Sequence, residues 1–220
     1  MKVSVIIAIY NCERYIGRAI RSLIGQSFSK EDYEIIVVDD GSTDHTGQVL
    51  ESFGDWIKVI TLSEHKGLPY ACNKGIREAL SRFVVRVDAD DYVHEDLLRV
   101  EYLYLSFNKH IDAVACDYYV VDDGERIIVR KNASTDPIAC GIMFRKDNLV
   151  TVGLYDEDFL MLEDADLRIR YLQKFNIRHI ELPLYRYRSH KTNITKDKEA
   201  MLYYQDMLNK KHGNAALTDS

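Results

Sequence analysis

The chain has 220 residues, a formal net charge of −6, and a composition that is 46% hydrophobic and 29% charged. This balance suits one sizeable globular domain. The negative charge argues against nucleic acid as a main partner, and no apolar run approaches the roughly 20 residues of a membrane span. The opening Met1-Lys2-Val3-Ser4-Val5 enters a strand pattern directly, with no cleavable leader, so secretion is not expected. Cys12, Cys72, Cys116 and Cys140 are scattered without a metal-ligand spacing and read as reduced, mostly buried thiols.

In chain order, residues 3–9 are almost wholly apolar and β-branched, the pattern of a strand buried on both faces. A helix follows, with Ile16, Ala19, Ile20 and Leu23 on one face. Residues 34–38 form a second buried strand that ends in Asp39-Asp40-Gly41, and Ser42, Thr43 or Asp44 can cap a helix carrying Val49, Leu50 and Phe53. A strand over 56–62 and a helix opened by Pro69 come next. The apolar run Phe83-Val84-Val85-Arg86-Val87 then ends in Asp88-Ala89-Asp90-Asp91. Alternating strands and helices of this kind predict a Rossmann-like, mostly parallel sheet covered on both sides. Beyond residue 91 the pattern changes to a helix over 95–107, a hairpin from 112–121 and 126–129, and an apolar segment over 138–144. A helix over 164–174, a strand over 177–182, a helix over 196–211 and a frayed tail from 213 complete the chain.

Two strands thus end in acid on the edge where open α/β sheets bind ligands. In an extended segment Asp88 and Asp90 point the same way and can share a hard divalent cation carrying a diphosphate. The competing reading is an acidic turn in which Asp90 or Asp91 caps the following helix. No Gly-x-Gly-x-x-Gly or Walker sequence is present, so any phosphates are held by metal and side chains. Glu163, Asp164 and Asp166 open a helix, which either reflects the helix dipole or sets a general base beside the metal. The run Tyr185-Arg186-Tyr187-Arg188-Ser189-His190-Lys191 offers cations for a diphosphate and a histidine that can ligate metal. Gly141 stands where a side chain would obstruct a ligand.

In order, the segments 3–11, 37–44, Asn73-Lys74-Gly75, 88–91 and Glu163-Asp164-Ala165-Asp166-Leu167 resemble the motifs of family 2 glycosyltransferases over roughly residues 1–195. The resemblance implies a GT-A fold, divided here into a nucleotide-binding half (1–91), an acceptor-side half (92–195) and a C-terminal helix and tail (196–220). It further implies inverting transfer from a nucleotide-sugar donor, usually UDP-linked, to a glycan or lipid-linked acceptor. On this pattern Ala8 and Tyr10 flank the base, Asp39 bonds the uracil, and Asn73, Ala89 and Gly141 lie along the donor. Asp88 serves ribose and metal, Asp90 coordinates Mn²⁺ or Mg²⁺ with His190 nearby, and Asp164 is the base with Glu163 beside it. Cys72 stands where many relatives carry arginine, which leaves Lys66, Arg186 or Arg188 to supply a phosphate contact. The setting implied is cytoplasmic, in surface-polysaccharide synthesis, with peripheral association at the inner membrane face an option. A non-catalytic sugar-nucleotide-binding or scaffold subunit and a nucleotidyltransferase are the alternatives.

Overall fold

The computed structural model describes residues 1–190 and 197–213. A single sheet of nine strands runs through it. The first four strands, β1 (Val3–Ile9), β2 (Tyr33–Asp39), β3 (Lys58–Thr61) and β4 (Phe83–Arg86), are parallel and lie in the order β3-β2-β1-β4. Their connections are α1 (Ile16–Ile24), α2 (Thr46–Glu51) and α3 (Leu68–Glu78). The later strands are β5 (Tyr92–Val93), β6 (Ala113–Val121), β7 (Ile127–Lys131), β8 (Ile142–Arg145) and β9 (Ile177–Arg188). They extend the sheet as β4-β8-β6-β9-β5, with β7 paired to the far end of β6. Both pairings of β8 are antiparallel, while β6 and β9 run parallel. Helices α4 (Leu97–Phe107), α5 (Lys146–Val152), α6 (Glu163–Leu172) and α7 (Lys198–His212) complete the chain.

Alternation along β1 explains the layering. Val3, Val5, Ile7 and Ile9 point into one core with Ile16, Ile20 and Leu23 of α1 and Leu97 and Leu105 of α4. Ile6 points the other way, with Ile36, Val38, Ile76 of α3 and Leu167 and Tyr171 of α6. A strand covered on both faces needs an unbroken apolar run, which is why β1 and β2 were legible from sequence. Gly75 permits the close approach of α3 to β1, since a Cβ there would lie 2.5 Å from Ile6 Cγ2.

The structure departs from the sequence expectations mainly after β4. The apolar segment over 138–144 becomes a strand only at Ile142, and β5 and α5 were not anticipated. The basic run after residue 184 is not a loop: β9 continues to Arg188, past register shifts at Cys116/Asp117 and Asp117/Tyr118 of β6. Tyr185 and Arg186 pair there with Val93 and Tyr92 of β5. This short pairing brings the end of β9 beside the turn that follows β4. The expected tail beyond Gly213, and Lys191 of the basic run, lie outside the described residues. Among the described residues, no helix is long and apolar enough to cross a membrane. All four cysteines are free, and Cys72, Cys116 and Cys140 are buried.

Candidate active site

The site is built where β1, β2 and β4 end. β2 closes opposite the end of β1, Asp39 beside Ile9, and Ala8 sits one step earlier, beside Val38. Asp39 is buried and accepts a hydrogen bond from Ser42 N–H at 3.0 Å, which closes the turn after β2. Asn11, in the left-handed region at φ 49°, ties the neighbouring loop down: its Oδ1 accepts from Thr43 N–H at 2.8 Å. Tyr10 remains 43% exposed and stacks on His65, ring centroids 3.9 Å apart. An open aromatic platform thus lies beside Asp39. His65 was not anticipated, and an isolated loop histidine gives no periodic signal. Asp40 accepts from Lys66 and Gly67 N–H groups, both at 2.8 Å, and fixes the entry to α3.

The second element is the acidic segment after β4. The strand ends at Arg86, and residues 88–91 form a turn closed by Asp91 N–H to Asp88 C=O at 3.2 Å. This corrects the extended-chain expectation. A turn converges its first and fourth residues, so Asp88 and Asp91 approach one another along with Cys140, their ligating atoms all within 4.8 Å. Asp90 instead faces His190, whose Nε2 lies 2.7 Å from Asp90 Oδ2. His190 in turn stacks on Tyr15 at 5.1 Å.

Neither Asp90 nor Asp91 caps α4; both are held by the end of β9. Asp91, 1% exposed, accepts from Tyr185 O–H at 2.8 Å and from Arg188 N–H at 2.7 Å. Burial, then repulsion from Asp90 and Asp88, push the Asp91 carboxyl well above the usual carboxylate range. Burial and Asp88 also raise Asp90, against the opposing pull of His190. Burial pushes the Cys140 thiol up as well, which leaves it a poor ligand for a hard ion. The donors that fit Mg²⁺ or Mn²⁺ are therefore the partly open carboxylates of Asp88 and Asp90, 24% and 28% exposed, with the His190 nitrogen beside the latter.

Gly141 at φ 66° follows Cys140, and its N–H bonds Arg86 C=O at 2.9 Å. A Cβ here would come within 2.7 Å of the Tyr185 ring, so the glycine makes room for Tyr185. The expected obstruction of a ligand is in this structure a clash with the protein's own tyrosine. Arg188, considered above for a phosphate, donates to the carbonyls of Asp90 and Asp123 and pairs with Glu125. It joins the β6–β7 hairpin tip to the acidic turn. Arg186 likewise spends one nitrogen on the carbonyls of Pro183 and Tyr185.

The two acidic constellations meet through Arg86. Its Nε donates to Asp88 at 2.7 Å and its Nη1 to Glu163 at 2.8 Å, across 77 residues of sequence. Burial alone would lower its pKa, but the negative partners around it, Asp88 foremost, outweigh that and hold it charged. Burial raises Glu163 even against Arg86. A cation inside an apolar strand was the one available signal for this bridge, since a buried charge needs a partner. Asp164, the next residue, makes no hydrogen bond or ion pair among the described residues. Its side chain lines a cleft of ≈ 260 Å³ walled largely by Ile138, Ile142, Phe144 and Leu167.

Asn73, expected along the donor, is bonded to the protein's own loop. It is 1% exposed, and its amide is committed to Tyr155 N–H, Tyr155 C=O and Glu157, at 2.8–2.9 Å. It anchors the loop that leads into α6.

Comparison with known proteins places this architecture. Staphylococcus aureus TarS, a poly(ribitol-phosphate) β-N-acetylglucosaminyltransferase, is 40% identical over 102 residues, 45% of this chain and 18% of TarS. The match therefore spans about a fifth of that relative's length. EpsE of Bacillus subtilis is 30% identical over 204 residues, 85% of this chain and 73% of EpsE. The crystal structure of TarS 1–349 with UDP-GlcNAc superposes with a TM-score of 0.79 at 25% identity, covering 95% of this chain and 67% of that one. A mannosyltransferase from Pyrobaculum calidifontis with GDP-Man and Mn²⁺ superposes with a TM-score of 0.74 at 18% identity, over 96% of this chain and 63% of its own. The fold is that of the GT-A glycosyltransferases. The family model described as "Glycosyl transferase family 2" matches residues 4–170, and the chain belongs to that family.

Proposed function

We propose that the chain transfers a sugar, with inversion, from a UDP-linked donor to a hydroxyl of a glycan or lipid-linked acceptor in bacterial surface-polymer synthesis. The observation that carries this reading is the Arg86 bridge, which couples the acidic turn at the sheet edge to the helix terminus bearing Asp164. A site that only bound nucleotide would need the first and not the second. The bound UDP-GlcNAc of TarS and the GDP-Man and Mn²⁺ of the mannosyltransferase support a nucleoside diphosphate sugar as donor.

In the proposed mechanism the base stacks on the Tyr10 platform, with Asp39 as its hydrogen-bond partner and Ala8 at its side. Asp88 and Asp90, with His190, would hold Mn²⁺ or Mg²⁺, which when bound supplies Lewis-acid neutralisation of the diphosphate leaving group. Asp164 takes the proton from the acceptor hydroxyl as its oxygen attacks the anomeric carbon opposite the leaving group, so configuration inverts. Among the described residues it has no hydrogen-bond or ion-pair partner, which leaves its oxygens available for that proton. Glu163, tethered by Arg86, sets the position of the first turn of α6. Ala89 lies within the acidic turn, and Gly141 acts on it indirectly by making room for Tyr185, whose hydroxyl holds Asp91.

Incubation with a panel of UDP-sugars and Mn²⁺ tests the reading. Release of free UDP, with an inverted anomer in the product, is the expected result. Release of sugar 1-phosphate in place of UDP would indicate nucleotidyl transfer, and binding without turnover would indicate a sugar-nucleotide-binding subunit; either would overturn the proposal.

A further inference from the structure

The loop that delivers Glu163 and Asp164 is held in a conformation it does not favour by itself. Leu154 and Leu162 both sit in the left-handed region, at φ 63° and 60°, and Leu162 immediately precedes Glu163. A side-chain-bearing residue in this region is strained and persists only where its surroundings over-determine it. Asn73 and Arg170 pin the start of the loop: Arg170 bonds the Val152 and Leu154 carbonyls at 2.5 and 2.7 Å.

Its far side is pinned by the last turn of α7. Lys211 Nζ lies 2.6 Å from Asp156 in the loop and 2.7 Å from Asp166 in the first turn of α6. His212 Nε2 lies 2.7 Å from the same Asp166 oxygen, while Arg170 takes the other oxygen at 2.6 Å. Asp166 is fully buried under these contacts. Phe159, also fully buried, is covered by Lys211, 5.0 Å above its ring, and by Tyr204, 6.4 Å from it. The matched family segment ends at residue 170, so these α7 contacts lie beyond it.

We propose that Lys211 and His212 are positioning residues for the reaction, the C-terminal helix acting as a clamp that fixes the loop and first turn carrying Glu163 and Asp164. This rests on the reading of Asp164 as the base. The ion pairs tie two parts of the loop–helix unit, Asp156 and Asp166, to one rigid helix end. Releasing them lets Leu162 relax from its left-handed conformation and moves Asp164 relative to the donor. A misplacement of about 1 Å can cost a reaction on the order of a hundredfold.

The test uses the full chain carrying Lys211→Ala with His212→Gln, and separately Asp156→Asn, which leaves α7 and Asp166 intact. Hydrogen exchange is followed across residues 154–166, together with UDP release from UDP-GlcNAc in Mn²⁺. The double variant is expected to exchange faster across 154–166 with β1–β4 unchanged, and to lose about tenfold or more in kcat with the donor KM held within about twofold. Asp156→Asn moves both readouts less, in the same direction, and Lys211→Arg restores most of the loss. Exchange across 154–166 unchanged in both the double variant and Asp156→Asn would overturn the clamp, as would a loss confined to KM. A wild-type chain that turns over no UDP-sugar would sink the assignment of Asp164 as base, whereas the exchange result still decides whether α7 holds the loop.

Discussion

The acidic turn after β4 and the acidic start of α6 hold their carboxylates in opposite ways. In the turn, each of Asp88, Asp90 and Asp91 has a protein partner: Arg86, His190, and the Tyr185 hydroxyl with the Arg188 N–H. At α6, Glu163 is tied to Arg86, but Asp164 has no partner among the described residues and faces a cleft. A crowded, supported cluster under mutual repulsion is suited to receive a cation, and an unengaged carboxylate on a pinned helix end is suited to receive a proton. On the proposed mechanism this difference divides the work, donor binding at one cluster and acceptor activation at the other, with Arg86 bonded to both.

The largest effect is expected at Asp164. Asp164→Asn should lower turnover by about 10²–10⁴-fold, the usual contribution of a general base. Near-wild-type turnover in a steady-state assay would remove the base from this site. The strut comes next. Arg86→Met leaves Asp88 and Glu163 without their shared cation, and truncating one partner of a buried ion pair typically costs about 3–5 kcal/mol. A fall in unfolding free energy of that size, read as a lower urea midpoint at unchanged slope, is expected; an unchanged midpoint would mean that the two clusters are not coupled through Arg86.

A third buried carboxylate sharpens the contrast with a smaller effect. Glu101 of α4 is fully buried, its oxygens meet no strong hydrogen-bond donor among the described residues, only the weak Cys116 thiol, and burial pushes its pKa well above the usual range. A carboxyl with a raised folded pKa lends stability that is complete below its unfolded pKa and is lost as pH rises through the folded value. Glu101→Met should therefore raise the thermal midpoint most at pH 8 and least near pH 4, with a gain of about 1–3 kcal/mol from removing unsatisfied oxygens. An equal gain at both pH values would show that charge at Glu101 is not the cause.

The parallel half was legible because strands buried on both faces must be apolar throughout, as in β1 and β2, and because the acids Asp39 and Asp88 break those runs abruptly. What followed was less so. β5 is two residues long and has no periodicity to detect, and β9 mixes polar and apolar residues because it crosses register shifts beside Asp117. The turn at 88–91 misled the side-chain geometry, since two-residue alternation holds only in a strand. Tyr185, Arg188 and His190 reach the acidic turn from about a hundred residues away, and Asn73 reaches Tyr155 across 82. Such long-range partners leave no local pattern, so residue types pointed to the proposed chemistry while the contacts around those residues came only with the fold.

The most direct measurement of the division of labour is calorimetric titration of UDP in Mn²⁺ against Asp90→Ala and Asp164→Asn side by side. The expected result is an affinity at least about tenfold weaker for Asp90→Ala, the loss of one charged contact of roughly 1.4 kcal/mol, with Asp164→Asn close to wild type. Equal losses in the two variants, or undiminished binding by Asp90→Ala, would contradict it.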